Sequence, residues 1–180
     1  MIIFDILFLI FLLGFIFWVS SHLFSSIFYV PYVNSSDSAI HDALKLAGLK
    51  KGDNFLDLGC GRGDALIVAA RDFGAKAVGY EISPFPYLLA KIRTRRHKSI
   101  LIFHHDFKNA TKAVQNADVI YLYLLNSVLD KIEGKIFDNS NDRAKIVTLA
   151  FKFVKHQPTK IIETKNLGRE TNIYLYSKNP

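Results

Sequence analysis

The stretch Phe55-Leu56-Asp57-Leu58-Gly59-Cys60-Gly61-Arg62-Gly63-Asp64 constrains the fold more than any other part of the chain. An apolar run of strand length ends at an acidic residue and passes through three glycines at alternate positions. It then enters the helical sequence Ala65 to Arg71. Strand, tight turn and helix in that order bring main-chain amides together at a helix start. Glycine permits positive φ there and lets another group approach the backbone.

The rest of the chain repeats the alternation. Asn34-Ser35-Ser36-Asp37 is a helix-start cluster, followed by Ala39, Ile40, Ala43, Leu44 and Ala47 at helical spacing and closed by Gly48. Strands are expected at Asn54–Leu58, Ala77–Glu81, Ile100–His104, Ala117–Leu125 and Lys145–Phe151. Helices are expected from the glycine loop to Phe73, over Phe85–Arg96, and from a cap at Asn126 or Ser127 through Phe137. Thr159–Glu163 and Asn172–Tyr176, joined by a turn at Asn166-Leu167-Gly168, read as a closing antiparallel pair. Such alternation predicts an α/β fold with a mostly parallel sheet covered on both faces and right-handed crossovers. Ligands of such sheets bind at the carboxyl ends of the strands.

Each of four successive strand ends carries a polar or aromatic group. Asp57 and the glycines follow the first, and Glu81 stands at the second, 24 residues beyond Asp57. That offset suits a carboxylate accepting both hydroxyls of a ribose. Asp106 and Phe107 follow the third, and Tyr123 to Asn126 the fourth. The glycine spacing is Gly-x-Gly-x-Gly with Asp two residues ahead, not the Gly-x-Gly-x-x-Gly of dinucleotide folds. Here the sequence resembles the class I S-adenosylmethionine-dependent methyltransferases, over about Val33 to Tyr176. The resemblance implies a Rossmann-like seven-stranded sheet with an antiparallel final hairpin. It also implies that Asp57 and the loop Gly59, Cys60, Gly61 and Gly63 hold the methionine part of S-adenosylmethionine. By the same resemblance Glu81, with Ile82 beside it, binds the ribose, Asp106 and Phe107 bind the adenine, and Tyr123 borders the methyl group. Cys60 is then a small loop residue near the cofactor and not a nucleophile.

At the other end, Ile2 to Val19 holds fifteen Ile, Leu, Phe and Val residues and a single charge, Asp5. As a helix this run spans ~27 Å, close to a hydrocarbon core. A secretory signal would need a basic n-region and a shorter apolar core, and both are missing. Ser20 to Tyr32 continues amphipathically through Leu23, Phe24, Ile27 and Phe28, with Trp18, Tyr29 and Tyr32 suited to an interface, and Pro31 breaks the helix. Expected divisions are residues 1–28 as membrane anchor, 29–52 as linker and first helix, and 53–180 as the methyltransferase domain. All 23 Lys and Arg residues lie beyond Val30, so the positive-inside rule puts the globular part on the cytoplasmic face. The basic balance suits an anionic neighbour, and five basic residues crowd Lys91 to Lys98. Cys60 is the only cysteine, which excludes an internal disulfide and a cysteine-rich zinc site. No metal site is expected. The histidines His104, His105 and His156 are general-base candidates by residue type alone.

An N-terminal apolar helix, Pro31-Tyr32-Val33, a capped helix and then Asp-Leu-Gly-Cys-Gly together resemble a narrower group. These are the membrane-anchored protein-lysine methyltransferases of the ATP synthase c-subunit and adenine nucleotide translocase type, with their prokaryotic relatives. The run Ala144 to Val147 followed by Phe151-Lys152-Phe153 resembles that group's Phe-x-Phe segment, although its prolines and tryptophan are replaced by Lys152, Val154 and His156 or Gln157. The resemblance implies a lysine acceptor on a membrane protein, with Tyr123, Asn126, Phe151 and Phe153 on the substrate side. Nucleic acid is not the expected partner: Leu124-Leu125-Asn126 stands where amino-methylating enzymes of nucleic acids carry Asn/Asp-Pro-Pro-aromatic. Methylation of a lipid or quinone, and an inactive cofactor-binding scaffold, are the alternatives.

Overall fold

The computed structural model describes residues 2–28 and 35–178, with the side chains of residues 3–21 and 35–178. The expectations for Tyr29, Pro31, Tyr32, Val33 and Asn34, and for the side chains of Leu23, Phe24, Ile27 and Phe28, lie outside the described residues. The elements run α1 (Ile2–Phe28), α2 (Asp37–Ala47), β1 (Asn54–Leu58), α3 (Asp64–Asp72), β2 (Lys76–Tyr80), α4 (Pro84–Thr94) and β3 (Ile100–Phe103). They continue with a 3₁₀ turn (Phe107–Asn109), α5 (Thr111–Asn116), β4 (Val119–Leu122), α6 (Asn126–Asn139), β5 (Lys145–Leu149), β6 (Lys160–Asn166) and β7 (Arg169–Ser177). The seven strands form one sheet ordered β3-β2-β1-β4-β5-β7-β6, parallel through β5, with β7 antiparallel to both neighbours. Strand order reverses between β1 and β4, which puts the crevice at their carboxyl ends.

Alternation along the strands sorts the core onto two faces. Phe55, Ala77, Val119, Tyr121 and Val147 pack with α2, α3 and α4, whereas Leu56, Leu58, Ile120, Leu122 and Ile146 pack with α5 and α6. Asp57 shares the Phe55 face and stands beside Gly79 on β2 and Tyr121 on β4. The α2 helix belongs to this core: Ile40 and Leu44 are fully buried. Ser36 caps its start by accepting from the Ala39 amide at 3.2 Å, and Gly48 closes it in the left-handed region.

Four local expectations change. The α6 helix starts behind Leu125 with no side-chain cap, and Asn126 lies exposed in its first turn. Helix α5, with no strong apolar period, went unrecognised. The last strands are longer than their apolar runs because Leu167-Gly168 alone makes the turn, with φ of 50° and 80°, and Asn166 ends β6. Finally, β5 stops at Leu149 because Ala150 takes φ 67° and the Phe151 amide turns back onto the Leu149 carbonyl at 2.9 Å. That three-residue turn is a strained form for a non-glycine residue.

Candidate active site

The glycine loop closes on itself at the end of β1. The Gly59 and Cys60 amides both donate to the Tyr80 carbonyl at 2.9 Å, and the Gly63 amide donates to the Cys60 carbonyl at 2.8 Å. Gly59, Gly61 and Gly63 have φ of 89°, 53° and 83°, the left-handed region that disfavours side chains. A Cβ on Gly59 would also meet Leu124 Cδ2 at 2.9 Å. Outside the loop Asp64 is gripped by Arg62 at 2.8 Å and Arg93 at 2.7 Å, which braces the start of α3.

Glu81 is buried and accepts from the Gly61 amide at 2.9 Å through Oε2 and from the Ser83 amide at 2.7 Å through Oε1. Each oxygen keeps a lone pair for a further donor. The carboxylate therefore fixes the loop and keeps acceptor capacity for a further donor. Ile82 is half-buried, and its carbonyl meets His104 Nε2 at 2.9 Å.

Asp57 is 4% exposed and receives no hydrogen bond from a described residue. Burial first, then the negative charges of Glu81 and Asp64, push its carboxyl well above the usual range. An unpartnered buried carboxylate is a poor arrangement for an empty protein. It is well suited to the ammonium of a methionine group and to a nearby cationic sulfonium. The residues fit the cofactor on these grounds. We expect Asp57→Asn to raise the cofactor-free melting temperature by about 2–4 °C, the effect of ~1 kcal/mol at this size, while abolishing cofactor binding. A fluorescence melt with and without S-adenosylhomocysteine checks both halves, and a variant still shifted by the ligand contradicts the assignment. Beside Asp57, Cys60 is buried, and burial followed by the Asp57 and Glu81 charges holds its thiol well above the ordinary value. It stays a neutral thiol, as expected of a loop residue and not of a nucleophile.

Asp106 caps the 3₁₀ turn by accepting from the Lys108 amide at 2.9 Å. Phe107 turns its ring into the α5–α6 core with Val114 and Ile132. At the ends of β4 and β5, the half-buried rings of Tyr123 and Phe151 stack at 6.5 Å. Burial raises the Tyr123 phenol above its usual value against the opposing hydrogen bond from Asn166, so it remains protonated. Phe153 takes a place in the core and not on a channel wall. Its ring meets Tyr176 at 4.9 Å and Phe137 at 5.4 Å, and its amide donates to Tyr176 Oη at 3.0 Å. The histidines are engaged elsewhere or exposed: His104 stacks on Tyr87, His156 pairs with Glu133 at 2.8 Å, and His105 is open to solvent.

Two contributors escape sequence reasoning. Asn166, 8% exposed, accepts from the Ser36 amide at 2.7 Å and donates to Tyr123 Oη at 3.2 Å, tying the start of α2 to the Tyr123 ring. Glu133 on α6 is fully buried and receives the main-chain amides of Val154, Lys155 and His156 at 3.2, 2.8 and 2.7 Å. It holds down the segment that follows Phe151 and Phe153. In the sequence Asn166 reads as turn chemistry and Glu133 as an exposed helix charge.

Known proteins supply the context. Residues 57–160 match the ANTKMT methyltransferase domain family. A protein-lysine N-methyltransferase of Saccharolobus islandicus is 29% identical over 157 residues, covering 82% of this chain and 93% of that protein. The adenine nucleotide translocase lysine N-methyltransferase of Mus musculus is 27% identical over 135 residues, 74% of this chain and 58% of the mouse protein. The ATP synthase c-subunit lysine N-methyltransferase of Homo sapiens is 26% identical over 132 residues, 72% of this chain and 55% of the human protein. The chain therefore spans little more than half the length of the last two. Among solved structures, an RNA methyltransferase from Salinibacter ruber in complex with S-adenosyl-L-homocysteine superposes with a TM-score of 0.73 at 26% identity, covering 82% of this chain and 94% of that one.

Proposed function

The chain belongs to the ANTKMT methyltransferase family of class I S-adenosylmethionine-dependent protein-lysine methyltransferases, and from that premise we propose that it methylates a lysine of a protein in or on a membrane. The observation that carries this reading is the aromatic pair Tyr123 and Phe151 standing at the strand ends beside the cradle of Asp57, Gly59–Gly63 and Glu81. When bound, the cofactor supplies a methyl group on a sulfonium for in-line displacement by an amine. Asp57 and the glycine loop take its amino-acid end, Glu81 its ribose, and Asp106 with the main chain of Phe107 its adenine.

Tyr123 and Phe151 then border the acceptor. Ring faces attract the ammonium, and desolvation between them lowers the lysine pKa toward the free amine that reacts. With His104 and His156 engaged elsewhere, solvent at the rim takes the proton. Exclusion of water and alignment are the residues' main contributions.

Helix α1 supports the membrane part. Ile3–Ser21 is long and apolar enough to cross a bilayer, and Phe4, Phe8 and Phe11 on it are exposed. On this reading residues 1–28 are the anchor, 29–52 carry the link and α2, and 53–180 form the catalytic domain on the cytoplasmic face. Confining enzyme and target to one surface raises their effective concentration.

Incubating membranes that contain the protein with methyl-labelled S-adenosylmethionine tests the acceptor. Label is expected in a protein band, surviving lipid extraction and hydrolysing to methyl-lysine. Label that leaves with lipid, or is released by ribonuclease, overturns the lysine reading. The ribonuclease arm matters because the Salinibacter ruber protein is described as an RNA methyltransferase.

A further inference from the structure

Helix α4 carries a surface that the cofactor site does not use. Leu88, Lys91, Ile92 and Arg95 fall at i, i+3, i+4 and i+7, one stripe of the helix. Leu88 and Ile92 are 49% and 48% exposed, while Ala90 and Thr94 on another side are buried. Arg93 turns aside to Asp64 of α3. Lys91, Arg95, Arg96 and Lys98 form no ion pair with any described residue, and no Asp or Glu occurs between Ile82 and His105. The neighbouring β3 is the edge strand of the sheet and exposes Leu101 and Phe103 as well. An apolar stripe with unpaired cations along it is the pattern of a helix that lies in the headgroup layer, where Lys and Arg stems extend along the apolar surface toward anionic lipid.

A second observation sets the level of this stripe. The Phe17 ring packs edge-on against Phe85, one turn before Leu88, at 6.3 Å, and the Phe85 amide donates to Ser21 Oγ at 3.2 Å. Ser21 ends the apolar span of α1, and Phe17 lies one turn inside it, ~6 Å by helical rise. If α1 crosses the bilayer, Phe85 is held at its boundary, and the stripe leads away from that point.

We propose that α4 is a membrane-docking surface that seats the methyltransferase domain on an anionic bilayer through Leu88 and Ile92, with Lys91, Arg95, Arg96 and Lys98 on the headgroup phosphates. The proposal rests on the anchoring role of α1 given above and adds a second contact, made by the domain itself. Glu81 and Ser83 immediately precede α4, so docking brings the cofactor crevice to the membrane plane, where a lysine at the surface of a membrane protein is presented.

The test uses the full chain reconstituted in phosphatidylcholine vesicles with and without phosphatidylglycerol. A polarity-sensitive dye is attached at Ile92→Cys, with Ile161→Cys as control. Ile161 lies on β6 at the opposite sheet edge from β3, ~29 Å from that strand across six strand spacings. Unsubstituted chain reports any labelling of Cys60. With phosphatidylglycerol present, the dye at residue 92 is expected to shift to the blue and to be quenched by brominated acyl chains, while the dye at 161 does neither. Lys91→Gln, Arg95→Gln and Arg96→Gln together should weaken docking on the order of a hundredfold, about fivefold per positive charge removed. A dye at residue 92 quenched no more than that at 161, in protein that floats with the vesicles, overturns the proposal. Flotation in high salt reads α1 separately: if it fails, anchoring by α1 is wrong, and the response of residue 92 to added vesicles still decides docking. Protection of residue 92 by a single-stranded RNA oligonucleotide and not by vesicles also overturns it.

Discussion

Glu81→Gln should weaken S-adenosylhomocysteine binding about a hundredfold in calorimetry. The carboxylate accepts two buried main-chain amides, one from the glycine loop and one from the start of α4. A glutamine side chain keeps one oxygen but turns an NH₂ group toward the other donor. A hydrogen bond to a charged acceptor contributes about 1.5–3 kcal/mol, and a donor facing a donor adds a desolvation cost. Together these displace Gly61, whose amide lines the loop, and remove the charge expected to accept the ribose hydroxyls. The summed effect of ~3 kcal/mol corresponds to about a hundredfold in affinity. A dissociation constant within about twofold of the parent, under ~0.4 kcal/mol, would sink both the ribose assignment and the structural role.

Glu133→Ala should lower the melting temperature by about 6–12 °C and do so without any contact to the cofactor. Three main-chain amides and the His156 ring lose one acceptor. Water can reach Val154 and Lys155, which are exposed, so the loss is nearer ~3 kcal/mol than the full sum of orphaned donors. Burial alone would raise the Glu133 carboxyl, but the hydrogen bonds from His156, Lys155 and Val154 outweigh it and hold the carboxyl below its ordinary value. A depressed folded pKa means that its stabilisation is complete above the ordinary glutamate value of ~4.3 and is lost as pH falls through the folded value. The alanine variant should therefore lose acid-side slope in a melt series, and an unchanged slope would show that Glu133 does not carry it. Asp57 has the opposite sign. Its raised folded pKa favours the protonated form, so the cofactor-free protein loses that stability as pH rises through it.

What could be read from residues alone followed local chemistry. Ser36 and Gly48 bound α2 because a hydroxyl and a left-handed glycine satisfy helix-end groups that any helix has. β1 from Asn54 to Leu58 and the loop after it are legible because alternate glycines have few other uses. Asp57, Glu81 and Asp106 stand out in the sequence by their positions at strand ends, which the topology brings to one edge of the sheet. Phe153 was misplaced for a different reason. The turn at Ala150 and the hold of Glu133 on the following segment decide where that ring goes, and both depend on tertiary partners distant in sequence. Asn166 escaped because a turn former and a buried amide look the same until Tyr123 and Ser36 are seen on either side of it. The basic run Lys91 to Lys98 is legible as a match for an anionic neighbour, whereas the exposure of Leu88 and Ile92 beside it depends on the tertiary packing of α4.

The Asn166 amide also limits how the two ends of the molecule can vary. It joins Ser36 to Tyr123 by two hydrogen bonds, while α1 ends at Phe28 and α2 begins at Asp37. A displacement of Ser36 at the start of α2 is therefore passed through one amide to the Tyr123 ring, against which the acceptor would rest. The entry of the first core helix and the aim of that ring cannot change independently.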